Sequence, residues 1–422
     1  MNWEDSGDYV SPIDTDLAYI AAGLFAYESF LREGGHSAAK RISILVKDPD
    51  RLQNDVVEQT LTDLLAFALK VDTKVKLVGV KSNPLRPSKK VEAKFGSVCL
   101  FSGGIDSLTG IGYARNTLGP THGVFVHHDG LIGIVKKLET RHFEQSKTHV
   151  HRIGTQTGPE GLQQLRGFAY MTFGGICGHL HNTGNVVVSE VGHTMFQPEL
   201  TALDEVTLTT HPTLVRLIKT LLRYAYKSDF DYYEPFASLT KAEIIALCEF
   251  KEGIPSTNSC RTVRWAYSPV SHCGSCYGCV VRRASCLVAG VKDANYSADV
   301  LLRNVGDDII GRKRGSRIRT HHLDNLCALL KFARDIVDDK LDDIAEFKIR
   351  TFAKKKLYNR FALDMLSALY VSYDRDKIGR NKWVQKFYDE CKKDGVITPD
   401  SATNRIDEVQ GQKFKPSSDF KL

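Results

Sequence analysis

Six consecutive residues combine the two properties that a phosphate-binding turn requires, a flexible backbone and polar side chains. They are Ser102, Gly103, Gly104, Ile105, Asp106 and Ser107. The two glycines permit positive φ angles and a close approach of the backbone to a ligand. A helix that begins here would present unpaired N–H groups and the positive end of its dipole, and both attract an anion. The hydroxyls of Ser102 and Ser107 can add donors, so this stretch predicts a phosphate cradle.

The carboxylate of Asp106 lies inside the predicted cradle, where it would repel a phosphate. A Mg²⁺ ion that bridges the carboxylate to the phosphate would remove the repulsion, because protein sites for Mg²⁺ commonly combine one or two carboxylates with phosphate oxygens. The Walker pattern Gly-x-x-x-x-Gly-Lys-Ser/Thr does not occur,. The alternative is an ordinary strand, turn and helix with two convenient glycines. The apolar run from Val98 to Phe101, typical of a buried strand, favours the functional interpretation,.

Four of the ten cysteines lie close together and form a second chemical pattern. Two residues separate Cys273 from Cys276 and Cys276 from Cys279, and Cys260 lies upstream. This spacing can direct thiolates to one ion, and four thiolates predict a closed, structural Zn²⁺ site. An iron-sulfur cluster is the rival because it uses the same ligands, and His272 could replace one cysteine. The other cysteines are interpreted as small buried residues, namely Cys99, Cys177, Cys248, Cys286, Cys327 and Cys391,.

The composition is that of a globular protein. Its 422 residues with 42% hydrophobic content predict two or three domains with a sizeable core,. No apolar run has the length of a membrane span, and the first residues lack a signal-peptide pattern, so we expect a cytoplasmic protein without a membrane partner. The net charge of +7 permits nucleic-acid binding without requiring it,.

Hydrophobic periodicity divides the chain into three parts. Residues 1–94 predict a small α/β accessory domain with a linker at its end. Residues 95–300 alternate apolar strands with helices, which predicts a doubly wound parallel sheet that gathers ligands at the carboxyl ends of its strands. Residues 301–422 predict a mainly helical extension with a mobile tail from Pro399. The basic run 311–319 is interpreted as a solvated connection, with a nucleic-acid contact as the alternative.

Polar residues that follow predicted strands are candidates for recognising a second substrate. Glu190 follows the fourth strand, and His211 precedes a predicted helix from Thr213,. The segment 197–208 is predicted to form a loop over that pocket. Helix capping by Thr210 or Thr213 explains part of the pattern without any function. Residues 127–129, after the second strand, are interpreted as a simple loop.

Two cationic residues begin predicted helices and could hold anions. Arg166 could bind a triphosphate or a substrate carboxylate with a two-pronged hydrogen bond, and a solvated surface arginine is the equal alternative. Lys241 could reach a phosphate. Its alternative is a place in the first turn of a capped helix, because Thr240 and Glu243 have the spacing of a capping box.

Together these motifs resemble the 7-cyano-7-deazaguanine synthase (QueC) family of N-type ATP pyrophosphatases, over roughly residues 96 to 290. The resemblance rests on a PP-loop sequence, a capped helix and a cysteine pattern in this order and at these distances. In this chain they are Ser-Gly-Gly-Ile-Asp-Ser at 102–107, Leu-Thr-Lys-Ala-Glu-Ile at 239–244, Ser259-Cys260, and the run 273–283. The PP-loop and the cysteines together are much more specific than either alone.

The resemblance implies a HUP-like PP-loop fold and a defined chemistry. A 7-carboxy-7-deazaguanine carboxylate would attack the α-phosphate of ATP, giving an acyl-adenylate and pyrophosphate, and an amine would then displace AMP. It implies that residues 102–107 bind ATP and Mg²⁺ and that Asp106, Arg166 and Lys241 are catalytic. In the housekeeping family the amine is ammonia and a second ATP drives formation of the nitrile.

Two segments and the extra domains are more similar to the QueC-like proteins of bacterial antiviral systems, the QatC type or those accompanying CBASS. The segments are Ser-Glu-Val-Gly at 189–192 and Thr-Thr-His-Pro at 209–212. This similarity implies that the amine could belong to a partner protein from the same operon. Two other functions stay open, a tRNA-modifying PP-loop enzyme such as a thiolase and a nucleotide-sensing defence subunit without turnover.

Overall fold

A computed structural model of the chain describes most of its residues. The described ranges are 11–32, 39–80, 95–126, 131–142, 148–151, 164–195, 208–260, 272–304, 318–340, 352–412 and 415–416. Several predicted segments lie outside them, including residues 127–129, most of the loop 197–208, the linker at 83–90 and most of the basic run. Within the described ranges no helix is long and apolar enough to cross a membrane.

The N-terminal part contains three helices and two strands within the described ranges. Its elements are α1 (Pro12–Arg32), β1 (Arg41–Val46), α2 (Pro49–Leu52), α3 (Asp55–Leu69) and β2 (Lys74–Gly79). The strands β1 and β2 pair in parallel as a separate two-stranded sheet. Asn54 caps α3 by accepting the N–H of Val57, which fixes where that helix begins,.

The central part is α/β with a parallel sheet, as predicted. Its strands are β3 (Ser97–Leu100), β4 (Thr121–Val126), β5 (Thr148–His151), β6 (Val186–Val187) and β7 (Tyr232–Tyr233). Its helices are α4 (Ile105–Leu118), α5 (Ile132–His142), α6 (Arg166–Leu180), α7 (Gly192–Met195), α8 (Pro212–Tyr226), α9 (Lys241–Leu247) and α10 (Tyr277–Ala289), with a 3₁₀ helix at Lys251–Ser256. The described strands are ordered β5-β4-β3-β6-β7, so β3 is central and the chain order reverses beside it.

Alternate residues of the strands enter two separate hydrophobic cores, because successive side chains point to opposite faces of a sheet. Cys99 and Val187 join the core formed with α4, α9 and α10. Val98 and Val186 join the other core, formed with α6 and α8. The N-terminal part belongs to this second core, with α1 against α6 and α3 against α8. Both faces of the central strand are therefore covered, and its carboxyl end leads directly to Ser102.

The C-terminal extension is helical and joins the first core. It contains α11 (Ile318–Val337), α12 (Phe352–Tyr370), a π-helical turn (Val371–Arg375), α13 (Lys382–Lys393) and α14 (Pro399–Gln410). The structure differs from the sequence prediction at the tail from Pro399, which forms α14 where a mobile segment is expected. Arg405 of this helix is buried and pairs with Asp364 and Glu243. The polar sequence of α14 does not predict a packed helix, because a buried ion-pair network is among the contacts that hold it.

Helix α4 approaches β6 so closely that one position has no room for a side chain. A Cβ added at Gly110 would overlap the Oγ of Ser189, the second residue after β6. Glycine at this position therefore sets the distance between the helix that follows the glycine turn and the strand that leads to Glu190.

We expect Gly110→Ala to lower the free energy of unfolding by about 1–3 kcal/mol, the usual effect of overpacking a core. Urea denaturation of both proteins measures the change. Gly133→Ala is the matched control, since no atom lies within 4 Å of a Cβ built there on α5. A control that destabilises as much as Gly110→Ala would contradict the steric explanation.

Candidate functional site

The predicted strand, glycine turn and helix are present at residues 97–118. Gly103 has a φ of +78°, a region that favours glycine, and Gly104 is the N-cap of α4,. The Oγ of Ser107 donates to the carbonyl of Gly104 over 3.0 Å, and the Oγ of Ser102 donates to the Oγ of Ser107 over 3.3 Å. Ser107 is buried and stabilises the turn, whereas Ser102 is exposed. Ser102 thus carries the hydroxyl that a ligand can reach.

An ion pair joins this turn to the capped helix predicted at residues 239–247. The Nζ of Lys241 lies 2.9 Å from the Oδ2 of Asp106, and the two side chains are only 13% and 15% exposed. Lys241 is the first residue of α9, and the capping box of Thr240 and Glu243 is confirmed. Two segments far apart in sequence therefore meet at one carboxylate beside the turn.

Glu190 is the third member of this charged cluster. Burial, and then the negative charge of Asp106, raise the pKa of Glu190 to about 8, and Lys241 opposes the shift. A protonated Glu190 is positioned to share its proton with Asp106. When Glu190 is ionised, the buried Oδ1 of Asp106 has no hydrogen-bond donor in the described part of the chain. The cluster then contains a carboxylate oxygen that a proton or a metal cation would satisfy.

His193 lies three residues after Glu190 in the chain, and no role was predicted for it. It lies on α7 and is fully buried, and neither ring nitrogen has a hydrogen-bond partner among the described residues. Its ring stacks on Phe361 of α12 with 4.5 Å between centroids. Burial and the nearby charge of Lys241 lower its pKa well below the ordinary value, so the ring is neutral. The wall behind the cluster therefore includes the C-terminal extension.

The C-terminal extension also holds the start of α9. The Oε1 of Glu243 accepts hydrogen bonds from Arg360 over 2.8 Å and from Arg405 over 2.7 Å. The Oε2 of the same carboxylate accepts the N–H of Thr240 over 2.9 Å. The carboxylate that caps α9, and so positions Lys241, is thus neutralised by two arginines of the extension. No local sequence signal could reveal these contacts, which span 117 and 162 residues.

The four predicted metal ligands come together. The Sγ atoms of Cys260, Cys273, Cys276 and Cys279 all lie within 4.8 Å of one another. A tetrahedral site with Zn–S distances of about 2.3 Å needs sulfur atoms about 3.8 Å apart, and Cys273 Sγ lies 3.8 Å from Cys279 Sγ. Hydrogen bonds from the other thiols, Cys260 first, lower the pKa of Cys273, while burial raises the pKa of Cys279. Four such thiols cannot all ionise without a cation, and they could hold a metal such as zinc.

His272 lies beside the cysteine cluster and is not one of the four grouped residues. Its Nε2 accepts the N–H of Ser259 over 3.1 Å. Burial, and then the charge of Arg282, lower the pKa of His272 to about 3, so it stays neutral and keeps this acceptor. The structure therefore places this histidine against Ser259, the residue that precedes the first cysteine of the cluster.

A short chain of hydrogen bonds connects the cysteine cluster with the glycine turn. The N–H of Asn258 donates to the carbonyl of Gly103 over 2.9 Å, and the Oδ1 of Asn258 accepts the N–H of Cys260 over 2.9 Å. The fully buried Arg282 holds the same loop, donating to Thr257 Oγ1 and to the carbonyl of Ile254. Asn258 and Arg282 are positioning residues that the sequence did not assign, although Arg282 lies inside the cysteine motif.

Arg166 and His211 lie at the starts of two helices. Arg166 is the exposed first residue of α6. His211 caps α8, accepting the N–H of Thr213 at its Nδ1 over 3.2 Å, and its ring lies 5.0 Å from that of Phe67 on α3. The helix is therefore capped by His211 itself, and not by Thr210 or Thr213 as the capping alternative predicted. The binding roles of both residues stay predictions.

Comparison with known proteins does not assign the chain to a family. No protein-family model matches it, and a search of curated proteins finds no match. The residues and their geometry are therefore the basis for assigning a function.

We expect the purified protein to contain about one zinc ion per chain, held by the four thiolates. Cys279→Ser should lose the metal and lower the thermal midpoint, because the ion links the loop at Cys260 to α10. Elemental analysis and thermal unfolding measure both effects, with Cys327→Ser, outside the cluster, as the control. Stoichiometric iron and sulfide with visible absorption would instead support an iron-sulfur cluster.

The raised pKa of Glu190 predicts a pH-dependent stability. The folded chain holds this proton more tightly than the unfolded chain, so the stability it contributes is lost as pH rises from about 4.5 toward about 8,. We expect Glu190→Gln to become progressively more stable than the wild type over this range. Urea denaturation from pH 5 to pH 8.5 without added metal measures it, and the exposed Glu390→Gln on α13 is the control. Parallel pH profiles for wild type and Glu190→Gln would contradict the assignment.

Proposed function

We propose that this chain is a cytoplasmic ATP-dependent carbon–nitrogen ligase with a doubly wound PP-loop fold. Its substrate class is a 7-carboxy-7-deazaguanine type of carboxylic acid, which it activates by adenylation. The observation that carries the proposal is the cluster of Asp106, Glu190 and Lys241 beside the glycine turn. Lys241 supplies a positive charge, Glu190 an acid, and Asp106 a carboxylate that can bind a metal cation. Beside a helix N-terminus, these groups form a site suited to splitting a triphosphate.

The chain's own groups can bind the phosphates of ATP. The first-turn N–H groups of α4, beginning at Ile105, and the exposed hydroxyl of Ser102 are donors at the carboxyl end of the central strand. Lys241 adds a positive charge from α9. Gly103 and Gly104 let the backbone approach the phosphate, since neither carries a side chain.

The same cluster fits a divalent cation. The buried Oδ1 of Asp106 lacks a donor when Glu190 is ionised, and hard carboxylate oxygens are the ligands that Mg²⁺ prefers,. Asp106 and Glu190 are the residues that would hold the ion. A bound Mg²⁺ would supply positive charge against the departing pyrophosphate.

Adenylation needs charge to be stabilised as one bond replaces another. A carboxylate oxygen of the substrate attacks the α-phosphorus, the bond to the bridging oxygen breaks, and pyrophosphate leaves with the electron pair. Lys241 and the amides of the turn offset its charge. Arg166, exposed at the start of α6, is the second cation proposed for this step. An amine nitrogen then attacks the acyl carbon, and AMP and a proton leave as the amide forms.

The acceptor amine defines the biological role. With ammonia the product is an amide, which a second ATP can convert to the nitrile. With the amine of a partner protein from the same operon, the deazapurine would be joined to that protein within an antiviral defence system. Glu190 and His211 are the residues proposed to select the carboxylate substrate, on the basis of their positions after β6 and before α8.

Incubation of the protein with ATP, Mg²⁺, 7-carboxy-7-deazaguanine and ammonia tests the proposal. We expect AMP and pyrophosphate as products, detected by mass spectrometry. Asp106→Asn should lower the rate by about 100-fold or more, as for removal of one preorganised electrostatic group. The exposed Asp72→Asn is the control and should keep the full rate. Release of ADP alone would exclude adenylation. Full antiviral activity of Asp106→Asn would indicate a sensor without turnover.

A further inference from the structure

A groove on the N-terminal part of the molecule has no place in the chemistry at Asp106. It has a volume of about 630 Å³ and lies along β1, against helix α1. Its lining includes Tyr19, Gly23 and Tyr27 from the helix and residues 42–45 from the strand. Gly23 carries no side chain, and a Cβ built there would contact only Ile44 within 4 Å. The helix therefore leaves space in the groove at this residue.

The groove borders an open edge of a sheet. Among the described residues β1 pairs with β2 alone. Lys74 and Val80 donate their N–H groups to the carbonyls of Lys40 and Val46. The directions of the backbone N–H and C=O groups alternate along a strand. Even-numbered residues of β1 therefore direct these groups toward β2, whereas Ser43 and Leu45 direct theirs away from β2.

The opposite edge of the same sheet is covered by side chains. Val75 donates its N–H to the Oγ1 of Thr62, and Leu77 donates to the Oε1 of Glu58, each over 3.0 Å. Just after β1, the N–H of Lys47 is bound by Asp16. Proteins usually cover or charge such edges, since exposed backbone groups pair with other strands. The edge at Ser43 and Leu45 is thus the uncovered part of this sheet within the described ranges.

Apolar side chains are exposed at the same place. Leu45 is 59% exposed and Tyr19 is 51% exposed, and both line the groove. Val78 of β2 is 38% exposed on the adjoining strand. An added strand would find backbone partners at the edge and apolar contacts in the groove.

The charges around this surface select the kind of strand that fits. Arg41 and Lys74 are exposed at one end of β1 and β2, and Lys47 lies over the ring of Tyr19 at the other end. Asp16 is buried and its carboxylate is occupied by backbone N–H groups. A second copy of the chain would bring like charges together, whereas an acidic segment would be attracted to both ends.

We propose that an extended, acidic segment of another polypeptide binds here and adds a strand to the free edge of β1. Its backbone pairs with Ser43 and Leu45, its apolar side chains enter the groove beside Tyr19, and its carboxylates lie near Arg41 and Lys47. Strand addition of this kind takes affinity from main-chain hydrogen bonds and selectivity from alternate side chains. Such docking does not depend on the chemistry at Asp106.

The test uses the full-length chain and a labelled ten-residue peptide that alternates valine with glutamate. We expect saturable binding by fluorescence anisotropy, and much weaker binding of the matched peptide with lysine in place of glutamate. Ser43→Pro removes an outward N–H without removing a bond to β2, a change that edge strands tolerate. It should weaken binding at least about fivefold, the effect of one lost hydrogen bond. Ser43→Ala keeps the N–H and should bind as the wild type does.

Arg41→Glu is a second variant in case Ser43→Pro fails to fold. It should weaken binding of the glutamate peptide and strengthen binding of the lysine peptide. Equal binding of both peptides, or of neither, would overturn the proposal. Sedimentation that shows a dimer dissolved by Ser43→Pro would also overturn it, in favour of a second copy as the occupant of the edge.

Discussion

The ion pair between Asp106 and Lys241 is the contact on which the candidate site depends. Asp106 lies in the first turn of α4, directly after the glycine bend, and Lys241 begins α9. Asp106 is held from the side of the cysteine cluster, through Asn258 and Gly103. Lys241 is fixed from the C-terminal side, through the carboxylate of Glu243. The distance between the charges of Asp106 and Lys241 is therefore set by two different parts of the chain, the loop of the cysteine cluster and the C-terminal extension.

The buried network behind α9 explains why a helical extension belongs with an α/β sheet. Glu243, Asp364 and Arg405 are all buried, and isolated charges in such a place would be strongly unfavourable,. Burial raises the pKa of Asp364 to about 6, an effect that Arg405 opposes. Arg360 adds a second guanidinium group at Glu243, and Glu408 adds a third carboxylate at Arg405. Networks of this kind add little net stability, but they fix geometry because every member must be paired.

Local patterns in the sequence were sufficient to predict the parts of the site that local interactions form. The strand and turn before Asp106, the capping box at Thr240 and the cysteine cluster each depend on residues close in sequence, and the structure contains all three. Helix α14 was missed because long-range ion pairs help to hold its polar sequence in place. The supporting roles of Asn258 and Arg282 were missed for the same reason, since their partners are defined only once the loops pack.

Protein synthesis proceeds in one direction, and the pairing of Glu243 with Arg405 gives that direction a consequence. The guanidinium group is made 162 residues after the carboxylate it neutralises. At translation rates of about 5–20 residues per second, the delay is roughly 8–30 s. Until α14 is synthesised, the carboxylate of Glu243 lacks one of its two arginine partners. Burying this carboxylate before then costs free energy, because its charge is less well compensated. Assembly of the cluster at Asp106 and Lys241 is therefore coupled to the synthesis of α14.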